Sequence, residues 1–326
     1  MTLMYSGIDE AGYGPMLGPL CVGRASIRVE DWSPIGEDGE ARRVPDLWSL
    51  LSASVAKSRK EAKGRLTVAD SKKLKLASSS VRNHPLVHLE RGVLAMLGTV
   101  GDVPRTDAEL FEVLGVTVED RPWFGGEPIE LPVGMDRDLL RIDANELRAT
   151  MDKAGVGVVD LKVHTLGVDE YNSVVRKHGT KAATTAQLLI GHLMEIREIE
   201  STHTRVVIDR QSGRTHYSKM LSRVWDGLEI LEESDRASRY AGGANGDGVG
   251  VLLVSKADDG YFPVSLASMA AKYVRELMMA RFNRYWSAKL PELKPTAGYV
   301  QDARRWLIDA EGVLLDGDRV GLVRIA

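Results

Sequence analysis

Apolar residues recur at two spacings along this chain, one typical of strands and the other of helices. Residues 3–9 form a short apolar stretch that predicts a strand, and a second strand follows through "PLCVGRASIRV", where apolar and polar positions alternate. The short connection and the alternation favour antiparallel pairing of the two. Residues 47–66 carry apolar side chains at helical spacing and end on basic ones, which predicts a helix.

The later part of the chain alternates predicted strands with predicted helices. "GVGVVDLKVHTLGVDEYN" begins as a strand, residues 181–199 form an amphipathic helix, and "TRVVID" is a β-branched strand. Residues 249–256 predict another strand, and "SLASMAAKYVRELMMARFNRYW" repeats apolar residues every three or four positions, as a long helix does. The chain thus begins with predicted strands and continues with alternating strands and helices. This order predicts an α/β domain with a mixed sheet flanked by helices.

The regular pattern is interrupted between residues 76 and 155, which we interpret as an inserted lobe. Within it, "RTDAELFEVLG" predicts a short helix that Thr106 caps, and "RPWFGGEPIELPVG" is rich in turn residues. A smaller insertion is predicted at residues 211–248, so the main domain comprises residues 1–75 and 156–326.

Composition narrows the classes of protein that fit. The chain has 326 residues, 44% of them hydrophobic, which is enough for a substantial core, and its formal net charge is −3. Cys21 is the only cysteine, so an intrachain disulfide and a cysteine-rich metal site are excluded and a buried, apolar role is expected. The sequence shows neither a membrane-length apolar run nor a secretory signal pattern, and we expect a cytoplasmic protein without membrane association.

Carboxylates occur where predicted strands end. Asp9 and Glu10 close the first strand, Asp209 closes "TRVVID", and Asp258 lies just beyond residues 249–256. Functional groups collect at strand ends in α/β sheets, and converging carboxylates repel one another unless cations neutralise them. Hard oxygen ligands suit two Mg²⁺ or Mn²⁺ ions, a pair that supports phosphodiester hydrolysis. We therefore expect these four residues to share one site, with at least one carboxylate pKa raised; the histidines show no spacing typical of metal ligands.

Ordered motifs resemble the ribonuclease HII family. "GIDEAGYGPMLGP" is similar to its first signature, in which a strand-ending Asp–Glu precedes Ala-Gly-Arg-Gly-Pro; "ADSKKL" is similar to the second motif and "VVIDR" to the third. "KADDGYFPVSLASMAAKYVRE" resembles the segment in which Lys-Gly-Asp precedes Ala-Ser-x-x-Ala-Lys, with Asp258 ten residues before Ser268. "VDEYN" and the helix of residues 181–199 resemble the family's pre-catalytic helix, and "AGYV" resembles its late Gly-Tyr motif. All these motifs occur along the chain in the family's order.

The resemblance implies a ribonuclease H-like sheet and a metal-dependent endonuclease that cuts the RNA strand of RNA–DNA hybrids or single ribonucleotides in DNA. It makes Asp9, Glu10, Asp209 and Asp258 the catalytic carboxylates that bind the metal ions. The remaining residues that it implicates bind substrate, through the ribose 2′-hydroxyl or a phosphate: Gly12, Tyr13, Gly14 and Tyr299 for the ribose, and Ser71, Lys72 and Lys73 for the phosphate. The family also implies a monomer.

Local charge supports a nucleic-acid partner. Residues 57–75 carry eight basic side chains against Glu61 and Asp70, and residues 205–223 hold five arginines and lysines, which predicts a basic rim around an acidic centre. One departure stands in the first motif, where Tyr13 replaces the family's arginine. Two alternatives therefore stay open: a nuclease of this fold with a changed nucleic-acid substrate, and a nucleic-acid-binding protein that does not cleave. The four carboxylates disfavour the second, since a binder gains nothing from an acidic cluster.

Overall fold

A mixed β-sheet forms the centre of the protein. The computed structural model describes residues 1–34, 44–77, 80, 83–210, 214–242, 248–315 and 317–325. These residues contain a seven-stranded sheet in the order β5-β2-β1-β6-β9-β8-β7 and a two-stranded sheet of β3 and β4. The strands are β1 (Leu3–Ala11), β2 (Leu20–Val29), β3 (Val55–Ala56), β4 (Leu66–Thr67), β5 (Val156–Leu166), β6 (His203–Asp209), β7 (Glu229–Glu233), β8 (Ala237–Gly242) and β9 (Val249–Val254).

Strand direction follows the sequence prediction. β1 pairs antiparallel with β2, whereas β1, β6 and β9 lie side by side in parallel. Carboxyl ends of parallel neighbours meet at one edge of a sheet. The predicted mixed sheet with flanking helices is thereby confirmed, and the strand ends that carry acidic residues come to the same edge.

The helices cover both faces of the large sheet. They are α1 (Leu47–Leu50), α2 (Ser71–Leu74), α3 (Val87–Leu97), α4 (Asp107–Leu114), α5 (Arg137–Ala154), α6 (Val168–His178), α7 (Ala182–Arg197), α8 (Ser218–Leu221), α9 (Ala257–Gly260), α10 (Phe262–Lys289), α11 (Val300–Asp309) and α12 (Asp318–Leu322). Helix α4 begins where predicted, since Thr106 Oγ1 accepts a hydrogen bond from Glu109 N at 3.2 Å. Among the described helices, none combines the length and apolar character that a membrane crossing requires.

The helix predicted for residues 47–66 is wrong. Only Leu47–Leu50 are helical, and Val55–Ala56 pair in parallel with Leu66–Thr67. Arg65 closes the intervening turn by donating to the carbonyls of Ser52 and Ala62, contacts that a continuous helix would not allow. The lysine- and alanine-rich sequence favours a helix locally, but it offers little apolar surface beyond Val55, so strand pairing prevails over intrinsic propensity.

Two apolar cores lie on opposite faces of the sheet. One contains Tyr5 and Ala25 with much of α10, α3 and α5, and the other contains Ile8 and Val22 with much of α6 and α7. Side chains alternate along β1 and β2, so each strand contributes to both cores. Cys21 is buried in the first core, as expected.

Both predicted insertions contain regular structure. In residues 76–155, helices α3, α4 and α5 contribute to the core that also holds α10. In residues 211–248, β7 and β8 form an antiparallel pair that extends the sheet beyond β9. Residues 211–213 and 243–247 of the second insertion lie outside the described residues. The division into a main domain and an inserted lobe stays a prediction.

Helix α10 contacts the backbone of β1 and β2 directly. A Cβ atom on Gly7 would lie 2.1 Å from Val264 N, and one on Gly23 would lie 2.2 Å from Ala267 O. Both neighbours are backbone atoms and cannot rotate away. The absence of a side chain at these two positions therefore sets how closely α10 approaches the sheet.

We predict that Gly23→Ala destabilises the fold far more than Gly157→Ala. The first substitution places a methyl group against the Ala267 backbone, whereas a Cβ on Gly157 in β5 meets nothing within 4 Å. Overpacking of this kind costs about 1–3 kcal/mol or more, and an open strand position changes stability by less than about 1 kcal/mol. Thermal unfolding of both variants measures the difference; equal midpoints would contradict the close approach of α10.

Candidate active site

Three neighbouring strands bring acidic residues to one edge of the sheet. Asp9 lies near the end of β1, Asp209 is the last residue of β6, and Asp258 lies in α9, just after β9. The parallel register pairs Ile8 with Ile208, which sets Asp9 beside Asp209. Glu10 follows Asp9 within the last residues of β1. The topology thus assembles residues that are up to 249 positions apart in sequence, from Asp9 to Asp258.

Asp9 is the buried member of this group, with 7% of its surface exposed. Its pKa lies well above the usual value, because burial disfavours the charged form and the carboxylates of Glu10, Asp209 and Asp258 repel it. A hydrogen bond with the Ser268 side chain acts in the opposite direction. The expected rise of a carboxylate pKa is therefore found at the centre of the group.

Backbone groups of the α9 turn hold Asp209. Its Oδ1 accepts a hydrogen bond from Ala257 N at 2.7 Å, which ties the end of β6 to the turn that carries Asp258. Burial raises the pKa of Asp209, and the bond from Ala257 opposes that effect. The pKa of Asp258 is raised to about 6, chiefly by burial and then by the neighbouring charges of Asp70 and Asp209. The two carboxylates are positioned by one shared turn.

The acidic group fits hard divalent cations by its donor chemistry. Carboxylate oxygens are the ligands that Mg²⁺ and Mn²⁺ prefer, and the raised pKa of Asp9 reflects negative charge that cations would offset. Among the described residues, no three of these carboxylates bring oxygens within 4.8 Å of one another.

The "SKK" segment lies against this group through α2. The Ser71 and Ser268 hydroxyls are 3.0 Å apart, so α2, α10 and Asp9 form a chain of hydrogen-bonding partners. Burial lowers the pKa of Lys72, but the charges of Asp70, Asp9 and other acidic residues of the site raise it more. Lys73 instead pairs with Asp259. Of the two lysines, Lys72 is the one whose pKa is raised by Asp9 and Asp209 as well as by Asp70 and Asp258.

Two buried arginines, Arg275 and Arg324, contact the loop after β1. Gly12 has φ +89°, and a Cβ there would lie 2.6 Å from Arg275 Nε. Arg324 donates to the Gly12 carbonyl at 2.5 Å and, through Nε, to the Gly18 carbonyl at 2.7 Å. A Cβ on Gly14 meets nothing within 4 Å. Gly12 is thus required by conformation and close contact, whereas no neighbour constrains Gly14.

Tyr13 and Tyr299 lie in different surroundings. Tyr13 is half-buried and packs against the core that contains α6 and α7. Tyr299 is 46% exposed, and the Arg275 guanidinium lies 5.7 Å from its ring centroid. Gly298 accepts a hydrogen bond from Met16 N at 2.8 Å, which joins the Tyr299 segment to the loop after β1. Arg275 therefore connects Gly12 with Tyr299.

The predicted basic rim is only partly at the surface. Half-buried Arg65 and buried Arg210 donate to backbone carbonyls of nearby turns, and Lys75 pairs with Glu276 at 2.7 Å. Among the described residues of 57–75 and 205–223, the exposed basic ones are Lys57, Arg59, Lys60, Lys63, Lys72, Lys73, Lys219 and Arg223. Sequence reasoning did not identify Asp70, Ser268, Arg275 and Arg324 as residues of the site. Their contacts there are with residues distant in sequence, which a local pattern does not indicate.

Comparison with known proteins gives likenesses at the level of solved structures. No family model and no curated protein matches the chain. Ribonuclease HII of Archaeoglobus fulgidus, from its complex with PCNA, is 17% identical with a TM-score of 0.46, and the similarity covers 99% of this chain and 94% of that one. Ribonuclease H2 of Pyrococcus horikoshii OT3 is 17% identical with a TM-score of 0.44, and the similarity covers 97% of this chain and 90% of that one. Bst-RNase HIII in complex with Mn²⁺ is 16% identical with a TM-score of 0.40, and the similarity covers 99% of this chain and 66% of that one.

We predict that Asp9→Asn stabilises the metal-free protein. The folded-state pKa of Asp9 exceeds its unfolded value, so ionising the side chain opposes folding; this cost is full above the folded-state pKa, shrinks as pH falls below it and vanishes below the unfolded-state pKa. In EDTA, the variant should melt at a higher temperature than the parent at pH 8, and by a smaller margin at pH 5. Asp138→Asn, at an exposed side chain in the first turn of α5, is the matched control; it removes a surface charge and a weak ion pair, so we expect a small change of the same size at both pH values. A lower midpoint for Asp9→Asn at pH 8 would contradict the electrostatic cost.

Proposed function

We propose that this protein is a divalent-metal-dependent endonuclease of the ribonuclease HII type, which cleaves the RNA strand of RNA–DNA hybrids or single ribonucleotides in duplex DNA. The observation that carries the proposal is the group of Asp9, Glu10, Asp209 and Asp258 at one sheet edge, with the pKa of buried Asp9 raised by its acidic neighbours. The ordered motifs add to it, because they place the same four residues at the family's carboxylate positions.

The four carboxylates would hold two Mg²⁺ or Mn²⁺ ions. When bound, such a pair activates a water molecule and stabilises the charge that develops on the leaving oxygen of a phosphodiester. The chain itself fixes the ligands: the α9 turn orients Asp209 through Ala257 N, and Ser268 bonds Asp9. This bonding restrains the carboxylates before any substrate arrives, which is the structural requirement of a preorganised site.

Nucleic acid would be held by residues at the margin of the acidic group. Lys72 supplies a positive charge beside the carboxylates and can pair with a backbone phosphate there. The loop of Gly12, Tyr13 and Gly14 lies beside exposed Tyr299, so backbone amides and an aromatic face are available to a ribose and its base. Ser71 bonds to Ser268 and supports the site from within.

Tyr13 stands where the family has an arginine, and this difference bears on which nucleic acid is the substrate. An arginine at this position would add a charge to the loop, whereas Tyr13 packs against the core on the α6 and α7 face. This contact favours a second candidate function, a nuclease of the same fold with a changed nucleic-acid substrate. Substrate choice separates the two candidates.

We predict that the protein cleaves a duplex with one ribonucleotide or an RNA–DNA hybrid in Mg²⁺ or Mn²⁺, and leaves plain DNA intact. Asp209→Asn should lower the cleavage rate by more than about 100-fold, since losses at residues that merely support metal ligands already reach 10- to 100-fold. Hybrid binding should persist, because positioning depends on phosphate contacts. Asp138→Asn is the control and should cleave normally. Binding without cleavage by the parent protein would refute a nuclease, and cleavage of plain DNA at the same rate would favour the changed substrate.

We predict opposite effects for two substitutions of Tyr13 on the single-ribonucleotide duplex. Tyr13→Arg restores a cation to the loop and should raise the cleavage rate, whereas Tyr13→Ala removes an aromatic face and should lower it. Melting temperatures of both variants separate a loss of packing against the core from a loss of substrate contact. If neither substitution changes rate or affinity, this loop does not contact substrate.

A further inference from the structure

A second group of metal-ligating residues lies apart from the acidic edge. His164 projects from β5, while His192 and Glu195 lie three positions apart on α7. One ligand atom from each of the three lies within 4.8 Å of the others. In the described part of the chain, this is the one set of three histidine, cysteine or acidic residues that meets this distance.

His192 is fully buried and has one nitrogen available. Its Nε2 is 2.9 Å from the Val22 carbonyl, which can only accept, so Nε2 carries the proton. Nδ1 therefore presents a lone pair, and it is buried without a hydrogen-bond partner. A ligating histidine commonly donates its other ring N–H to a backbone carbonyl, which fixes the ring and its tautomer. His192 has this arrangement already.

His164 and Glu195 complete the group and open it to solvent. His164 Nε2 is 2.9 Å from Glu195 Oε1. The His164 ring stacks on that of His192 with centroids 3.8 Å and planes 11° apart, so the His164 ring has to rotate out of the stack before both rings direct a nitrogen at one ion. The His164 side chain is 24% exposed and that of Glu195 is 46% exposed. Both can therefore adjust their rotamers, and an ion can enter from this side.

The charges around the group leave a negative excess. Arg24 pairs with Asp160 at 2.7 Å and with Glu195 Oε2 at 2.9 Å. One guanidinium thus faces two carboxylates, and Glu195 Oε1 stays on the side of the histidines. The two carboxylates outnumber the one guanidinium, although Arg24 also places a positive charge near His192 and, after burial and His164, lowers the pKa of that ring. Arg24 orients the Glu195 carboxylate through its second oxygen.

We propose that His164, His192 and Glu195 bind one divalent transition-metal ion of the zinc type, joining edge strand β5 to helix α7. Two imidazole nitrogens and one carboxylate oxygen select Zn²⁺ or Co²⁺ over Mg²⁺, which prefers oxygen ligands alone. The ion replaces the direct contact between His164 Nε2 and Glu195 Oε1, and water fills the fourth position. This site goes beyond the proposed nuclease function and does not depend on it.

Calorimetric titration of the full chain with ZnCl₂, in excess Mg²⁺ to occupy oxygen-ligand sites, tests the proposal. We expect one Zn²⁺ per chain, and a melting temperature that rises with Zn²⁺ concentration. His164→Gln and Glu195→Gln should each weaken binding by about 10- to 100-fold or more. His178→Gln, at an exposed histidine at the end of α6, is the matched control and should bind as the parent does. Visible absorption of the Co²⁺ form reports nitrogen ligation independently.

His192→Gln removes a buried side chain and can prevent folding, so the proposal rests on the two variants at accessible positions. Absence of Zn²⁺ binding, or binding that His164→Gln and Glu195→Gln leave unchanged, overturns the proposal. Binding that Asp9→Asn abolishes places the ion at the acidic edge and also overturns it. Hybrid cleavage in Mg²⁺ is measured on the same variants and should stay at the parent rate, which keeps this test separate from that of the nuclease function.

Discussion

The direct contact of α10 with the backbone of β1 and β2, at Gly7 and Gly23, determines where most other elements of the site lie. Because the helix approaches so closely, Ser268 reaches Asp9 and Arg275 reaches the loop at Gly12. A side chain at either glycine would move α10 away from the sheet. Hydrogen bonds from α10 to the site, which require distances of about 3 Å, would then be lost. The burial that raises the pKa of Asp9 has the same origin, since α10 covers this end of β1.

Much of the sheet could be predicted from periodicity, because β1, β2, β6 and β9 alternate or run apolar over lengths that only strands use. The acidic strand ends were visible for the same reason. Residues 47–66 were mispredicted because their composition favours a helix, whereas the pairing of Val55–Ala56 with Leu66–Thr67 closes a segment made mostly of turns. The arginines beneath the loop could not be found this way: Arg324 bonds Gly12 across 312 positions, and no local pattern encodes such a contact.

The histidine group shows how a local signal can be present and still be insufficient. His192 and Glu195 have the helical spacing that puts two ligands on one face, but two ligands are common on any helix surface. The third, His164, comes from β5, and only the antiparallel register with β2 brings it to α7. The chain thus carries an oxygen-rich group and a nitrogen-containing group with different metal preferences.

The bonds from Arg324 to Gly12 and Gly18 also constrain the order of folding. The Gly12 carbonyl in the loop after β1 is bonded by a residue that is synthesised 312 positions later. Closing so long a chain segment is entropically costly and slow, so such contacts form late. The first strands can pair on the ribosome as soon as they emerge, but the loop acquires these two bonds only after Arg324 has left the exit tunnel. A nascent chain therefore carries Asp9 and Glu10 well before it carries a finished loop beside them.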